Sequence, residues 1–473
     1  MTSHRFALCL ITALVFLSPI SVQADLNIAV TIADDPNSTP LPPRFAGLSY
    51  ESSELLPNNG HYYFDAGNQA LLDLFHTLGV SSLRVGANAV DSTGFPVPQE
   101  KDIDALFAFA RAAGVKVIYS FRLKNGDPAE SARLAKYIAG HDADVLDCFA
   151  IGNEPEAYVK PFDKYLALWK PHYDAILQAV PDAMFDAPGG ETDAYCMPMV
   201  NALFSQGRLV MISSHNYYLG SGRAAEKDLV KARAMFLSDD LHAKYEKTYK
   251  RLVTPLNKAH VPYRMDEMNS CYNGGAKGAS NTYASTLWAL DCLHWWAHHH
   301  ILGLNFHTGD RVGRDGGFGA PNYSAFVRLA DGSGFDVRPQ AYAMLAFAQA
   351  AHGRPITTTL TAPAGLNFDA YAYRDGQTLY LTLINKSFGV DAQAVDADVT
   401  FPTASAAGHW QYMNLTQKTA DITAATDVAL QAPIDSQGNW TGSWQIMPGT
   451  PATGDLHVHV PPASAILLRD ILQ

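Results

Sequence analysis

Charge is scarce in this chain of 473 residues: 17% are Asp, Glu, Lys or Arg, and the 46 acids outnumber the 34 bases. A formal charge of −12 argues against nucleic acid or an anionic membrane as partner. Any anionic ligand must therefore be recognised locally. Five cysteines are too few for a disulfide-built scaffold of this length. No glycine-rich phosphate loop follows a strand pattern, and no Cys/His spacing matches a structural zinc site. The run His298-His299-His300 points its imidazoles in different directions at a helix end, which suits packing better than a metal. Neither metal nor cofactor is expected.

Long apolar runs are also absent, apart from one at the start. Residues 6–20 follow Arg5 and precede Val22-Gln-Ala24, the order of a secretory signal and its small-residue cleavage site. The run is shorter than the roughly 20 residues of a spanning helix. Residues 1–24 are read as a cleaved signal peptide, with a secreted or periplasmic mature chain from Asp25 and no membrane insertion. Losing Arg5 takes the charge from −12 to −13. Cys148, Cys196, Cys271 and Cys292 then remain, open to three disulfide pairings or to four buried thiols. Sequons at Asn37, Asn385, Asn414 and Asn439 matter only in a glycosylating host. A monomer is expected.

What is present is an alternation. Short apolar strands at 45–51, 82–88, 116–123, 145–153, 184–187, 209–217, 263–269 and 301–307 are separated by amphipathic helices at 68–79, 101–114, 127–140, 162–180, 225–250 and 280–299, with another at 340–352. Eight strands alternating with helices such as these within residues 45–353 predict an α/β fold, a (β/α)8 barrel. After Gly353 the pattern changes to short alternating strands, with a hairpin turn at Arg374-Asp-Gly-Gln377. Residues 354–473 are read as a β-sandwich domain, and residues 25–44 as supplying it with an N-terminal strand.

Two carboxylates fall where a barrel exposes its chemistry. Glu154 in Ile151-Gly-Asn-Glu-Pro-Glu156 follows the fourth strand, and Glu267 in Arg264-Met-Asp-Glu-Met-Asn269 ends the seventh. The C-terminal ends of barrel strands form the catalytic mouth. Two opposed carboxylates there suit glycoside hydrolysis, with Glu154 as acid/base and Glu267 as nucleophile. Asn153 is placed to bond a sugar 2-hydroxyl, and Pro155 stops the strand. As bland alternatives, Asn-Glu-Pro would cap a helix and Asp266-Glu267 would sit in a solvated loop. The two motifs at strands four and seven together favour the catalytic reading.

With these residues in place, the chain resembles the clan A glycoside hydrolases and, within them, glycoside hydrolase family 79, the heparanases and related β-glucuronidases. Cys271-Tyr-Asn-Gly-Gly275 and Pro321-Asn-Tyr323 are similar to the family's segments around the glucuronate carboxylate. The resemblance implies that Tyr272, Gly274, Gly275 and Tyr323 contact that group. Glycine amides approach an anion closely, and phenols donate to it. His215-Asn-Tyr-Tyr218 resembles the family's sixth-strand segment, from which Tyr217 would bond the nucleophile and favour its charged form. Tyr50-Glu51 resembles a sugar contact on strand one, which makes Glu51 a candidate. Leu83-Arg-Val-Gly-Ala-Asn88 departs from the family pattern at Val85 and Ala87, yet Asn88 still reaches toward hydroxyls. His307 ends strand eight as a further candidate.

The resemblance implies a retaining β-glucuronidase acting on a glucuronic-acid-containing polysaccharide or glycan. Exo-acting members of the resembled family carry an extra loop that walls the sugar pocket, so the short segment 89–100 implies an open cleft and heparanase-like internal cleavage of heparan sulfate-type chains, although the long 308–339 loop is placed to close it. The acidic balance keeps an exo-β-glucuronidase releasing terminal or 4-O-methylated glucuronate in view. The basic cluster Lys244, Lys247, Lys250 and Arg251 reads equally as a solvated helix face. A non-catalytic carbohydrate-binding protein on the same scaffold is the third reading, and the presence of both glutamates, Asn153 and Tyr217 counts against it.

Overall fold

The computed structural model describes residues 26–309, 321–401, 410–448 and 456–471. The expected signal peptide, and residues 310–320 of the long loop, lie outside the described residues. After an opening strand β1 (Leu26–Ala33), eight strands run parallel: β2 (Ala46–Glu51), β3 (Ser82–Gly86), β4 (Lys116–Phe121), β5 (Leu146–Ile151), β6 (Phe185–Gly190), β7 (Leu209–Asn216), β8 (Tyr263–Met268) and β9 (Gly303–His307). They close into a barrel, β9 returning to β2 with Leu304 opposite Ala46.

Helices return the chain between strands as the apolar spacing predicts. Pro128–His141 starts on an Asp127 side-chain cap, and Glu100–Ala113 ends at Gly114, whose φ of +70° suits glycine. The single helix expected over 225–250 is instead broken. Asp228 caps the Lys231 amide to open Leu229–Phe236, and Ser238 caps the Asp240 amide just before Asp240–Thr248. Local side-chain caps compete with helix continuation, which the apolar spacing alone does not register.

The barrel interior is unusually charged. Arg84, Arg264, Asp186 and Asp266 are all at most 2% exposed, beside Ser49, Ser82 and Asn305. A small apolar cluster of Ile118, Cys148, Ala150 and Met211 fills part of the remaining space. Arg264 donates to Asn305 at 2.7 Å, and the Asn305 amide bonds Ser82 and the Leu48 carbonyl, so Arg264, Asn305 and Ser82 form one hydrogen-bonded chain.

A two-stranded hairpin, β10 (Phe326–Arg328) with β11 (Phe335–Val337), precedes the second sheet. That sheet comprises β12 (Arg354–Thr361), β13 (Phe368–Asp375), β14 (Thr378–Asn385), β15 (Val395–Thr400), β16 (Trp410–Gln417), β17 (Val428–Leu430), β18 (Gln445–Ile446), β19 (Leu456–Val460) and β20 (Ser464–Ile471), together with β1. Strand β1 lies between β12 and β15, antiparallel to one and parallel to the other. The sheet folds over its own core, which contains Val30, Leu381, Val395, Val399 and Leu468. The opposite face of β13, β14, β16 and β20 presents Tyr371, Tyr373, Met413 and Leu467 to the barrel's cluster, against the helices Tyr283–His298 and Pro339–Ala350. Helix Tyr283–His298 is therefore buried nearly all round.

All four cysteines described are free and buried, so the second of the two sequence alternatives holds. No helix among the described residues is long and apolar enough to cross a membrane.

Candidate active site

The fourth strand of the barrel ends in a tight turn. Gly152 has φ +85°, and a Cβ there would lie 2.8 Å from Leu123 Cβ. Glu154 itself is left-handed, at φ +45°, an uncommon state for a side chain this long. Its amide donates to the Gly189 carbonyl at 2.9 Å, and Pro155 opens a short 3-10 turn behind it. The carboxylate is thereby aimed across the mouth toward β8.

Glu267 is 3% exposed and gripped at both oxygens. Tyr217 donates to Oε1 at 2.8 Å, and Arg84 Nη1 donates to Oε2 at 2.7 Å. His307 Nδ1 stands 3.9 Å from Oε2 and His215 Nδ1 3.8 Å from Oε1. Burial alone would raise the pKa of Glu267, but His307, His215, Arg84 and the Tyr217 hydrogen bond together hold it well below the usual carboxylate range. It is an ionised group at any physiological pH.

His215 joins the two glutamates. Its Nδ1 lies 2.8 Å from Glu154 Oε1, and its Nε2 is 3.7 Å from Asp266 Oδ1. Burial opposes its charging, yet Glu267, Asp266 and Glu154 outweigh burial and push it up to about 9. An oxygen of Glu154, an oxygen of Glu267 and a ring nitrogen of His215 all lie within 4.8 Å of one another. Carboxylate and imidazole groups can both ligate a metal, and His215 would have to give up its proton to do so.

Asn153 is 3% exposed and held from three directions. Arg84 Nη2 donates to its Oδ1 at 2.8 Å, its Nδ2 donates to Asn88 Oδ1 at 3.2 Å, and its amide donates to Asp91 at 2.9 Å. Arg84 thus bridges Asn153 and Glu267. Its own burial would discourage charge, but Asp266 and Glu267 keep it firmly protonated. Gly86 makes room for it: a Cβ there would lie 3.2 Å from the guanidinium carbon and closer still to Ser120.

Glu51 accepts from the Ala89 amide at 2.6 Å and lies 3.8 Å from His307 Nε2. Burial pushes its carboxyl up despite that imidazole. Tyr323 is buried, its ring 6.3 Å from Tyr217 and 6.0 Å from His307. Tyr272 stands at the rim, 47% exposed, with its ring edge-on to Tyr217. Gly274 and Gly275 follow at φ +77° and +76°. Among the described residues neither of their amides donates to a protein acceptor, while the Gly274 carbonyl accepts from the Asn322 amide at 2.7 Å.

The structure therefore gathers Glu51, Asn88, Asn153, Glu154, Tyr217, Glu267, His307 and Tyr323 at one mouth, with Tyr272, Gly274 and Gly275 on its rim. The reading of motifs did not select Arg84, Asp91, His215 or Asp266. A signal existed for one of them: Arg84 is an ionisable residue between Leu83 and Val85 in a strand run.

No family model matches the chain. Over 125 residues, 24% of its length, it is 31% identical to a β-glucuronidase of Aspergillus niger, and the match spans 23% of that enzyme. A 4-O-α-L-rhamnosyl-β-D-glucuronidase from Fusarium oxysporum 12S has a similar structure, with TM-score 0.69 and 18% identity over 94% of this chain and all of that one. A family 51 α-L-arabinofuranosidase from Bifidobacterium longum gives TM-score 0.69 at 15% identity, covering 93% of this chain and 99% of its own. A family 30 endoxylanase from Clostridium papyrosolvens C71 gives 0.56 at 14%, covering 94% and 100%. The barrel with its attached β-sandwich is the fold that these solved enzymes share.

Proposed function

We propose that this protein is a retaining β-glucuronidase related to glycoside hydrolase family 79, and that it cleaves internal glucuronate linkages in heparan sulfate-type glycans. The observation that carries the retaining reading is the approach of Glu154 and Glu267 to within 4.8 Å. Retaining enzymes hold their two carboxyl groups roughly 5–5.5 Å apart, and inverting enzymes leave room for a water between them.

Glu267, ionised and gripped by Arg84 and Tyr217, attacks the anomeric carbon as Glu154 delivers its proton to the glycosidic oxygen. The leaving sugar departs as an alcohol. Glu154 then takes a proton from water, whose oxygen displaces Glu267 from the sugar and restores both groups. Asn153, fixed by Arg84 and Asn88, offers its amide to the 2-hydroxyl. The glucuronate carboxylate is received by the Gly274 and Gly275 amides, which donate to no acceptor among the described residues, and by the hydroxyls of Tyr272 and Tyr323. Similarity to the A. niger enzyme and the Fusarium neighbour supports glucuronate as the sugar.

The test compares wild type with Glu267→Gln on a chromogenic β-glucuronide and a size-defined heparan-type chain. Mid-sized oligosaccharides from the polymer are expected, with activity lost in the variant. Free glucuronate with fast chromogenic turnover would make the enzyme exo-acting, and undiminished activity in Glu267→Gln would remove it as nucleophile. A carbohydrate-binding protein would show no turnover in either form.

A further inference from the structure

The loops that follow β3, β4 and β5 enclose a cleft of about 520 Å³ beside Glu154. Its walls include Asn88, Ser92, Thr93, Lys124, Asn125 and Tyr158. Resting on the glycosidase reading, we infer that this cleft is a subsite for the sugar adjoining the scissile glucuronate, and that Lys124 there recognises an anionic substituent, a sulfate or a carboxylate.

Three observations support the assignment. The cleft is continuous with the catalytic mouth, because Asn153 and Glu154 line it as well. Its walls are hydroxyls and amides, which suit a sugar rather than an apolar group. The Lys124 ammonium lies over the Tyr158 ring, 5.2 Å from the centroid, and makes no ion pair among the described residues. A cation stacked on an aromatic face keeps its position and its charge without spending that charge on a carboxylate.

The single acid in the wall besides Glu154, Asp91, has both oxygens turned to protein donors rather than to the cleft. Its Oδ1 accepts the Leu123 and Lys124 amides at 2.7 and 2.9 Å, and its Oδ2 accepts the Asn153 amide and the Tyr158 hydroxyl, both at 2.9 Å. Four donors occupy its oxygens and bind the three loops together. They also fix Lys124, Tyr158 and Asn153 relative to one another, so that a sugar bound at Asn153 has a cation at a set distance in the neighbouring site. In a chain of net charge −12, a lysine in this cleft that makes no ion pair among the described residues is a local means of reading a negative substituent.

The experiment measures binding by calorimetry in the Glu267→Gln background, with and without Lys124→Gln. Three tetrasaccharides are compared: an N-sulfated heparan-type chain, its N-acetylated counterpart with a neutral neighbour, and an oligoglucuronate. Lys124→Gln is expected to lower the affinity ratio of an anionic-neighbour ligand over the N-acetylated one about tenfold, as for one lost charge-assisted contact. Lys124→Arg should restore it. A loss confined to the N-sulfated ligand assigns a sulfate, and one confined to the oligoglucuronate assigns a carboxylate. Equal losses on all three, or no loss, would overturn the assignment. Binding is read whether or not wild type hydrolyses glucuronides, so a failure of the enzymatic reading would be visible separately.

Discussion

Tyr217 donates its phenolic hydroxyl to Glu267 Oε1 at 2.8 Å, and the other oxygen of that carboxylate is held by Arg84. A hydrogen bond of this kind stabilises the ionised form and fixes the orientation of the carboxylate. In Tyr217→Phe, kcat/KM on a chromogenic β-glucuronide should fall about 10- to 100-fold, as expected for losing a hydrogen bond to a charged group. A pH–rate profile should show the acid limb almost in place, because His307, His215 and Arg84 still keep Glu267 ionised. A limb moved up by several units would show that Tyr217 alone controls its charge.

His215 carries a pH dependence of defined sign. A histidine raised to about 9 in the fold stabilises it fully below its ordinary value near 6.5 and loses that contribution as pH rises through 9. Thermal melts should therefore drop between pH 7 and pH 10 by an amount on the order of 3 kcal/mol, and kcat/KM should decline over the same window. In His215→Asn the melting temperature should be lower at pH 7 and nearly flat across that range. An equally steep decline in the variant would place the titrating group elsewhere.

Gly274 and Gly275 separate a backbone requirement from a packing one. Their φ values are +77° and +76°, so alanine at either costs about 1 kcal/mol in strain. A Cβ at Gly274 meets nothing within 4 Å, whereas at Gly275 it lies 3.0 Å from both Ser280 and the Tyr323 ring. Gly275→Ala should displace Tyr323 and raise KM for a glucuronide well beyond the effect of Gly274→Ala. Parallel Michaelis curves decide it, and equal KM values would argue against a role for Tyr323.

Barrel and sandwich are joined through a buried ion cluster. Lys386, 1% exposed, lies 2.7 Å from Asp369 and 3.2 Å from Asp291, which also accepts from Tyr371 at 2.6 Å and pairs with His242 at 2.8 Å. Removing one partner leaves buried carboxylates uncompensated, which typically costs about 3–5 kcal/mol. Lys386→Met should lower the denaturant midpoint accordingly, and adding Asp369→Asn should recover part of the loss. Additive destabilisation in the double variant would mean the pair does not interact.

Residue order alone carries the alternation of strands and helices, the change to β grammar after residue 353, and the places of Glu154 and Glu267 at strand ends. Those features rest on short-range periodicity and turn chemistry, which a few neighbouring residues encode. The remaining features arise from folding in three dimensions. Arg84 meets Glu267 across 183 positions, His215 meets Glu154 across 61, and Lys386 meets Asp291 across 95. Likewise the left-handed Glu154, the four unpaired thiols and the broken 225–250 helix depend on what packs nearby. Barrel closure brings side chains from six strands to one mouth. Whether a buried arginine there is a liability or a grip on a carboxylate depends on partners that no local pattern contains.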